Sequence, residues 1–364
     1  MRAISLSSLT AAAFFHSVAA ASAGMAFPSV SDYGARGDGT TNDTAAFNSC
    51  LAANTVCWVD SGKKFVIGNV IMNNGNRLQG FGSVQYGTAT GATTTVRPVL
   101  IGAAGATKMI DVTRISHGGG IVGLMLDCRS SAMDGISSGS FQLTLDQVTV
   151  VGCKNGFGGG PTYTAEAHIT NSTFGNNVNG VVNLVDSFIL NADFAGNTGD
   201  GVYFGTGANS NTITNSRFEW NLGYGFETYG GTNSVNISNC VFDRNYKAGA
   251  RIQGSTGINL TGNSFSRNGR NGVAAEENTQ ISINASRRVN LTGNTSETGT
   301  DDGGTGPRTP AYVVSFVGAN AYVTINGLNT GGRYSGTNLT GGYVTGVVQG
   351  TAPTTGYIFA NVSQ

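Results

Sequence analysis

The chain has 364 residues, of which 56 are glycine and only 11% are charged, against roughly 7% glycine and about 25% charge in ordinary globular sequences. Six prolines without a Gly-X-Y period exclude a collagen-like chain, and 39% hydrophobic residues exclude disorder driven by charge. Twenty basic residues balance twenty acidic ones, which removes the basic excess of a general nucleic-acid binder, and no segment beyond residue 23 is apolar enough to span a bilayer.

Residues 1–23 read as an export signal: Arg2 precedes an apolar run that ends in the small triplet Ala21-Ser22-Ala23. Next, Thr41-Asn42-Asp43-Thr44 reads as a capped helix start, with the helix reaching Leu51 and Ala46, Phe47, Cys50 and Leu51 on one face. Cys57-Trp58-Val59 and Lys64-Phe65-Val66-Ile67 are strand-like. Five cysteines in an exported chain leave at least one without an intrachain partner. Cys50 with Cys57 and Cys128 with Cys153 are plausible by distance along the chain, though spacing alone does not decide the pairing. None has zinc-site company.

Between residues 134 and 273 the chain repeats itself. Ile169-Thr170-Asn171-Ser172-Thr173-Phe174 recurs as Ile189 to Phe194, Ile213 to Phe218 and Ile237 to Phe242, with a fifth copy at Leu260 to Phe265 that has Gly262 at the first Asn position. The phenylalanines are 20, 24, 24 and 23 residues apart. A second Asn column follows at 177, 197, 221, 245 and 268, and glycines close each unit at 135, 156, 180, 201, 225, 249 and 272. Of 36 asparagines, 24 lie between residues 155 and 294, so composition follows the repeat. Short strands joined by bends where Asn or Gly takes left-handed conformations are unstable alone. Stacked, they pair with the turns above and below and share one apolar interior. The repeat therefore predicts an all-β right-handed parallel β-helix with an N-terminal capping helix. Residues 24–295 hold the coil and its cap, and 296–364 form β-rich turns or an end piece of the same domain. Asp301-Asp302 falls in a loop by composition.

The segment Val30-Ser31-Asp32-Tyr33-Gly34-Ala35-Arg36-Gly37-Asp38-Gly39-Thr40-Thr41-Asn42-Asp43-Thr44-Ala45-Ala46-Phe47 resembles the opening of pectate-lyase-superfamily proteins, a group that includes polysaccharide lyases, some glycoside hydrolases, mannuronan epimerases and phage tailspikes. Residues 66–82 resemble that family's first strands. The resemblance implies a right-handed β-helix that often acts on acidic polysaccharides. The galacturonan hydrolases' ordered acid pairs are missing. Tyr224-Gly225-Phe226-Glu227-Thr228-Tyr229 is similar to the epimerases' Tyr-Gly-Phe-Asp-Pro-His, with Glu227 at their Asp and Tyr229 at their His.

Strand alternation assigns the faces. Val181, Val202, Phe226, Ala250 and Val273, each after a column glycine, point inward. Tyr203, Glu227 and Arg251 then point outward on consecutive turns, with Tyr229, Gln253 and Glu276 one step along and Asp200 and Tyr224 on the same edge. A carboxylate between a phenol and a guanidinium suits β-elimination on a uronate, and Glu227, Arg251, Tyr203, Tyr224 and Tyr229 are the candidate catalytic residues. A solvated Glu227–Arg251 ion pair is the purely structural alternative. On the neighbouring face Glu219 and Asp243 occupy equivalent positions about 5 Å apart, near a retaining glycosidase's separation. There Asp193, Arg217 and Arg244 lie close by and Trp220 is suited to stacking on sugar, but the arginines are placed to neutralise both acids. Trp220, Asp200 and Gln253 are candidate substrate-binding residues.

His117 and His168 have no partners at fixed spacing, and Gly118 to Gly120 and Gly158 to Gly160 precede no helix, which excludes a phosphate loop. Asn-X-Ser/Thr matches such as Asn171, Asn236, Asn259 and Asn290 arise from the repeat itself. Asp301-Asp302 is a candidate for calcium, but two carboxylates are too few to define a site. No nucleotide or redox cofactor is expected. The expectation is a secreted or periplasmic enzyme, monomeric or homotrimeric, that acts on an extracellular polysaccharide with no nucleic-acid or membrane partner. Lyase chemistry comes first and hydrolysis second, with a non-catalytic carbohydrate-binding spike or adhesin as the competing class.

Overall fold

The computed structural model describes residues 27–81, 97–159, 163–269, 277–299, 310–331, 348–350, 353–356 and 358–360. The expected export signal and the Asp301-Asp302 loop lie outside them. The described strands form three long parallel sheets, of twelve, eleven and twelve strands, in which each strand's neighbour is the equivalent segment one turn earlier or later. The chain is a parallel β-helix.

Each sheet carries one of the sequence columns. In the first, Phe174, Phe194, Phe218, Phe242 and Phe265 are in register on successive turns. Their rings are fully buried and stack with centroids 5.8, 5.0, 4.5 and 4.6 Å apart. In the second sheet, entered through the column glycines, Val181, Val202, Phe226 and Ala250 are in register and buried. In the third, Ile169, Ile189, Ile213, Ile237 and Leu260 are aligned. We call these the phenylalanine, glycine and isoleucine sheets. Between Gly135 and Asn294 the glycine sheet has seven strands, from Asp134–Ile136 to Thr279–Asn284.

The polar columns divide the work at the bends. Asn171, Asn191, Asn215 and Asn239 take φ of 49°, 54°, 51° and 55°, and Gly262 replaces Asn in the fifth copy with φ of 64°; this is the left-handed bend expected of that column. The second Asn column does something else. Asn197, Asn221 and Asn245 are fully buried, and their side-chain amides donate to the carbonyls of Phe174, Phe194 and Phe218 at 3.1, 2.9 and 2.8 Å. Their Oδ1 atoms accept the backbone N–H of the Asn one turn earlier at 3.0 to 3.2 Å. The ladder runs on through Asn268 and ends on Gln280 Oε1. The column glycines also differ from expectation. Those among the described residues do not adopt left-handed φ; a Cβ on Gly180 would lie 2.3 Å from the Gly201 carbonyl oxygen, so close stacking of backbones demands glycine there.

The N-terminal helix spans Thr44–Ala53 and covers the interior with Ala46, Phe47, Cys50 and Leu51. It starts later than expected because Asp38–Asn42 is a strand. The Asp43 carboxylate, instead of capping the helix, accepts the backbone N–H groups of Arg36 and Gly37 at 2.7 and 3.2 Å. Cys50 bonds Cys57 and Cys128 bonds Cys153, which leaves Cys240 as a buried free thiol.

Beyond Ala250 the turns lengthen. Ala250 pairs with Ile281, and Ile281 with Val314. The next inward position after Ala250 is therefore Ile281 and not Val273, which lies outside the described residues. By the same register Gln253 pairs with Asn284, so Glu276, also outside them, is not the residue that follows Gln253. Strands Tyr312–Val317, Ala321–Asn326 and Asn329–Gly331 extend the three sheets.

Candidate functional site

On the outer face of the glycine sheet, Tyr203, Glu227 and Arg251 are aligned on three consecutive turns. Arg251 Nη1 donates to Glu227 Oε1 at 2.6 Å. Glu227 is only 7% exposed, while Arg251 is half-buried. The two residues ahead of the column glycines close in from the edge. The Tyr224 backbone N–H donates to Asp200 Oδ1 at 2.8 Å, and burial together with the negative charge of Glu227 holds the Asp200 carboxyl well above the usual carboxylate range. Burial, then Glu227 and Asp200, also raise the Tyr203 phenol. Asp200 is thus an acid weakened by burial beside a carboxylate that is paired with a guanidinium.

Tyr224 is buried, and its hydroxyl donates to Glu277 Oε1 at 3.1 Å. The guanidinium of Arg251 and the ammonium of Lys247 sit 5.1 and 4.9 Å from the centroid of its ring. Lys247 also pairs with Glu277 at 3.0 Å. Burial pushes the Tyr224 phenol up, so it serves as a fixed donor. Tyr229 stands exposed on the same face, and Gln253 is half-buried with no hydrogen-bond partner for its Oε1. Lys247 and Glu277 were missed by sequence reasoning. Glu277 lies within the longer step that separates Ala250 from its partner Ile281.

On the phenylalanine sheet Glu219 and Asp243 are in register on adjacent turns, as expected. Both are neutralised. Arg217 pairs with Glu219 and Arg244 with Asp243, while Arg267 donates to both oxygens of Asp243 at 2.9 and 2.7 Å. Arg267 was not anticipated. The Arg244 guanidinium lies 4.9 Å from the centroid of the Trp220 ring. This face carries an open groove of about 720 Å³ lined by Asp193, Arg217, Glu219 and Trp220 among others.

The weaker candidates stay apart from both faces. His117 Nδ1 is 3.2 Å from Ser116 Oγ, and His168 lies against Phe188. Asn171 and Asn259 are tied to neighbouring turns by side-chain amide bonds. Among the described residues no three His, Cys, Asp or Glu side chains gather as a metal site, and no helix is long and apolar enough to cross a membrane.

Residues 181–306 match a family model described as "Right handed beta helix region". Among solved structures the chain is similar to the A-module of the Azotobacter vinelandii mannuronan C-5 epimerase AlgE4, with TM-score 0.62, 17% identity, and coverage of 92% of this chain and 100% of that one. It is similar to tailspike protein 2 of Escherichia coli O157:H7 bacteriophage CAB120, with TM-score 0.61, 14% identity, and coverage of 83% and 42%. It is also similar to an alginate lyase from Paenibacillus sp. str. FPU-7, with TM-score 0.53, 15% identity, and coverage of 87% and 97%. These likenesses establish the fold, a right-handed parallel β-helix. Activity has to be argued from the site.

Proposed function

We propose that this chain cleaves an acidic, uronate-containing polysaccharide by β-elimination on the outer face of the glycine sheet. The observation that carries this reading is the alignment of Tyr203, the Glu227–Arg251 pair and, on the same edge, Asp200, whose carboxyl is held above the usual carboxylate range. Elimination requires loss of the proton on the carbon next to the sugar carboxylate, which is feasible only when that carboxylate's charge is neutralised. Asp200 donates a hydrogen bond to it, and Arg251 supplies positive charge. Glu227 takes the C5 proton, the electron pair forms the C4–C5 double bond, and the O4 leaving group departs with the proton of the Tyr203 phenol. A phenol held neutral suits that donor role. Tyr224, fixed by Glu277, Lys247 and Arg251, keeps the guanidinium in place, and Tyr229 and Gln253 offer binding contacts along the strip.

Similar folds whose names specify alginate lyase and mannuronan C-5 epimerase support an acidic substrate. The hydrolytic reading is weaker because its acid pair is tied up by three arginines. Two disulfides suit an oxidising compartment and support export through residues 1–23. The test is incubation of the purified chain with a panel of uronate-containing polymers. The ultraviolet absorbance of an unsaturated uronate is expected. New reducing ends without that absorbance would instead mean hydrolysis, and retention of polymer without products would mean a binding protein.

A further inference from the structure

The isoleucine sheet carries a groove that the strip on the glycine sheet does not use. At one bend of this sheet Gly257, Arg288 and Tyr322 follow one another on consecutive turns, as the register of their neighbours fixes. With Asn259, Asn290 and Thr324 they line a groove of about 270 Å³. Tyr322 is exposed, but its ring is already packed: the Arg287 guanidinium lies 5.5 Å from its centroid, and a Cβ on Gly356 would come within 2.6 Å of it. What Tyr322 has left to offer is its hydroxyl. Arg288 and Asn290 are exposed too, and among the described residues the Arg288 guanidinium, the Asn290 amide and the Tyr322 hydroxyl have no hydrogen-bond or ion-pair partner. Arg217, Arg244, Arg251 and Arg267, by contrast, are each paired with an acid. No acid lines this groove. Along its bend column the first acid is Asp186, beyond Ser234 and Ser210 and four turns from Arg288. At one strand spacing per turn that is roughly 19 Å, about two Debye lengths at physiological salt.

From these unengaged, solvent-facing groups gathered in one groove, we propose a second, non-catalytic site on the isoleucine sheet that binds a uronate unit of an acidic polysaccharide. The Arg288 guanidinium receives the sugar carboxylate in a forked, charge-assisted contact. Asn290 and Tyr322 hydrogen-bond the ring hydroxyls, and Arg287, held on the Tyr322 ring, adds positive charge that no acid neutralises. The groove is just smaller than the roughly 300–1,000 Å³ of drug-sized sites, which suits one sugar unit rather than a long segment. The class of ligand rests on the acidic-substrate reading above, but the site does not depend on elimination chemistry. A polymer held here stays near the glycine sheet of the same molecule, which raises its effective concentration at the candidate strip.

The experiment is isothermal titration of the full chain carrying Arg251→Ala, which removes the cation of the other strip, with trimers of mannuronate, guluronate and galacturonate and with neutral galactose trimers, at about pH 7, where uronates are ionised. At least one uronate trimer is expected to bind, and the neutral trimer is not. Adding Arg288→Ala should weaken that binding at least about tenfold, and Arg288→Lys, which keeps the charge but loses the fork, should fall between. Arg288 lies on the surface, so its replacement spares the stacked interior, and circular dichroism melts check that each variant is folded. No binding by any uronate trimer, equal binding of the neutral one, or binding that Arg288→Ala leaves intact overturns the site. The two readings fail separately. Elimination by the unaltered chain without this binding retires the second site alone, and this binding without elimination retires the lyase reading alone.

Discussion

At the scale of single residues the candidate strip and the groove on the phenylalanine sheet each contain one carboxyl held above its ordinary range. If Asp200 acts as a proton-bearing donor, activity falls as pH rises and Asp200 ionises. Asp200→Asn, which still donates, should flatten that alkaline limb of kcat/KM, and a limb unchanged in the variant would assign it elsewhere. Replacing Glu227 by Gln or Arg251 by Ala should abolish turnover, with Glu219→Gln milder. Outward-facing residues suggest a negligible stability cost, but Glu227 is buried against Arg251, and removing its charge should cost about 1–3 kcal/mol as well. Asp193 gives a separate prediction. Its folded value of about 6 lies above the ordinary carboxylate value of 3.8, so the folded state binds more protons. Stability is therefore full below the unfolded pKa, falls as pH rises through the folded one, and is level above it. Asp193→Asn should raise Tm at about pH 7.5, by the equivalent of roughly 2–3 kcal/mol, and leave it unchanged near pH 3.

At the scale of elements the sequence columns predict register well and side-chain roles less well. The Phe spacing of 20, 24, 24 and 23 residues is enough to align the rings, because in a parallel coil equivalent positions must lie one strand spacing apart. It does not reveal that the second Asn column bonds between turns, since a repeat period carries no rotamer. That ladder is a stabilising device of its own. Asn221→Ala removes the donor to the Phe194 carbonyl and the acceptor for the Asn197 N–H. It is expected to cost about 1–3 kcal/mol for each backbone group left unsatisfied, which makes it comparable to Phe218→Ala at about 3–5 kcal/mol. Thermal or denaturant melts of the two variants make the comparison. An Asn221→Ala protein as stable as wild type would mean the ladder is replaceable by water.

At the scale of the whole molecule the coil is held at its N-terminal part by a covered end and two disulfides. Thiol titration should find no reactive thiol in the native chain, one in the unfolded oxidised chain, from Cys240, and five after reduction. Cys128–Cys153 spans 25 residues and Cys50–Cys57 spans 7. Loop-closure entropy then predicts that losing the longer bridge costs about 1 kcal/mol more, readable as a lower denaturant midpoint for Cys128→Ser/Cys153→Ser than for Cys50→Ser/Cys57→Ser.

What the sequence by itself determined was the fold, the inward columns up to Ala250 and the alignment of Tyr203, Glu227 and Arg251, because all of these follow from a local period and from the alternation of strands. Beyond Ala250 the period changes, and there the expected Gly272 and Val273 gave way to Ile281. Only the tertiary structure decided which carboxyls are raised by burial, that Lys247 and Glu277 join Tyr224, that Arg267 helps neutralise Asp243, and that Asp193 Oδ1 is left without a hydrogen-bond partner. The physical reason is that burial and the summed field of neighbouring charges depend on several turns at once, and no single repeat contains that information.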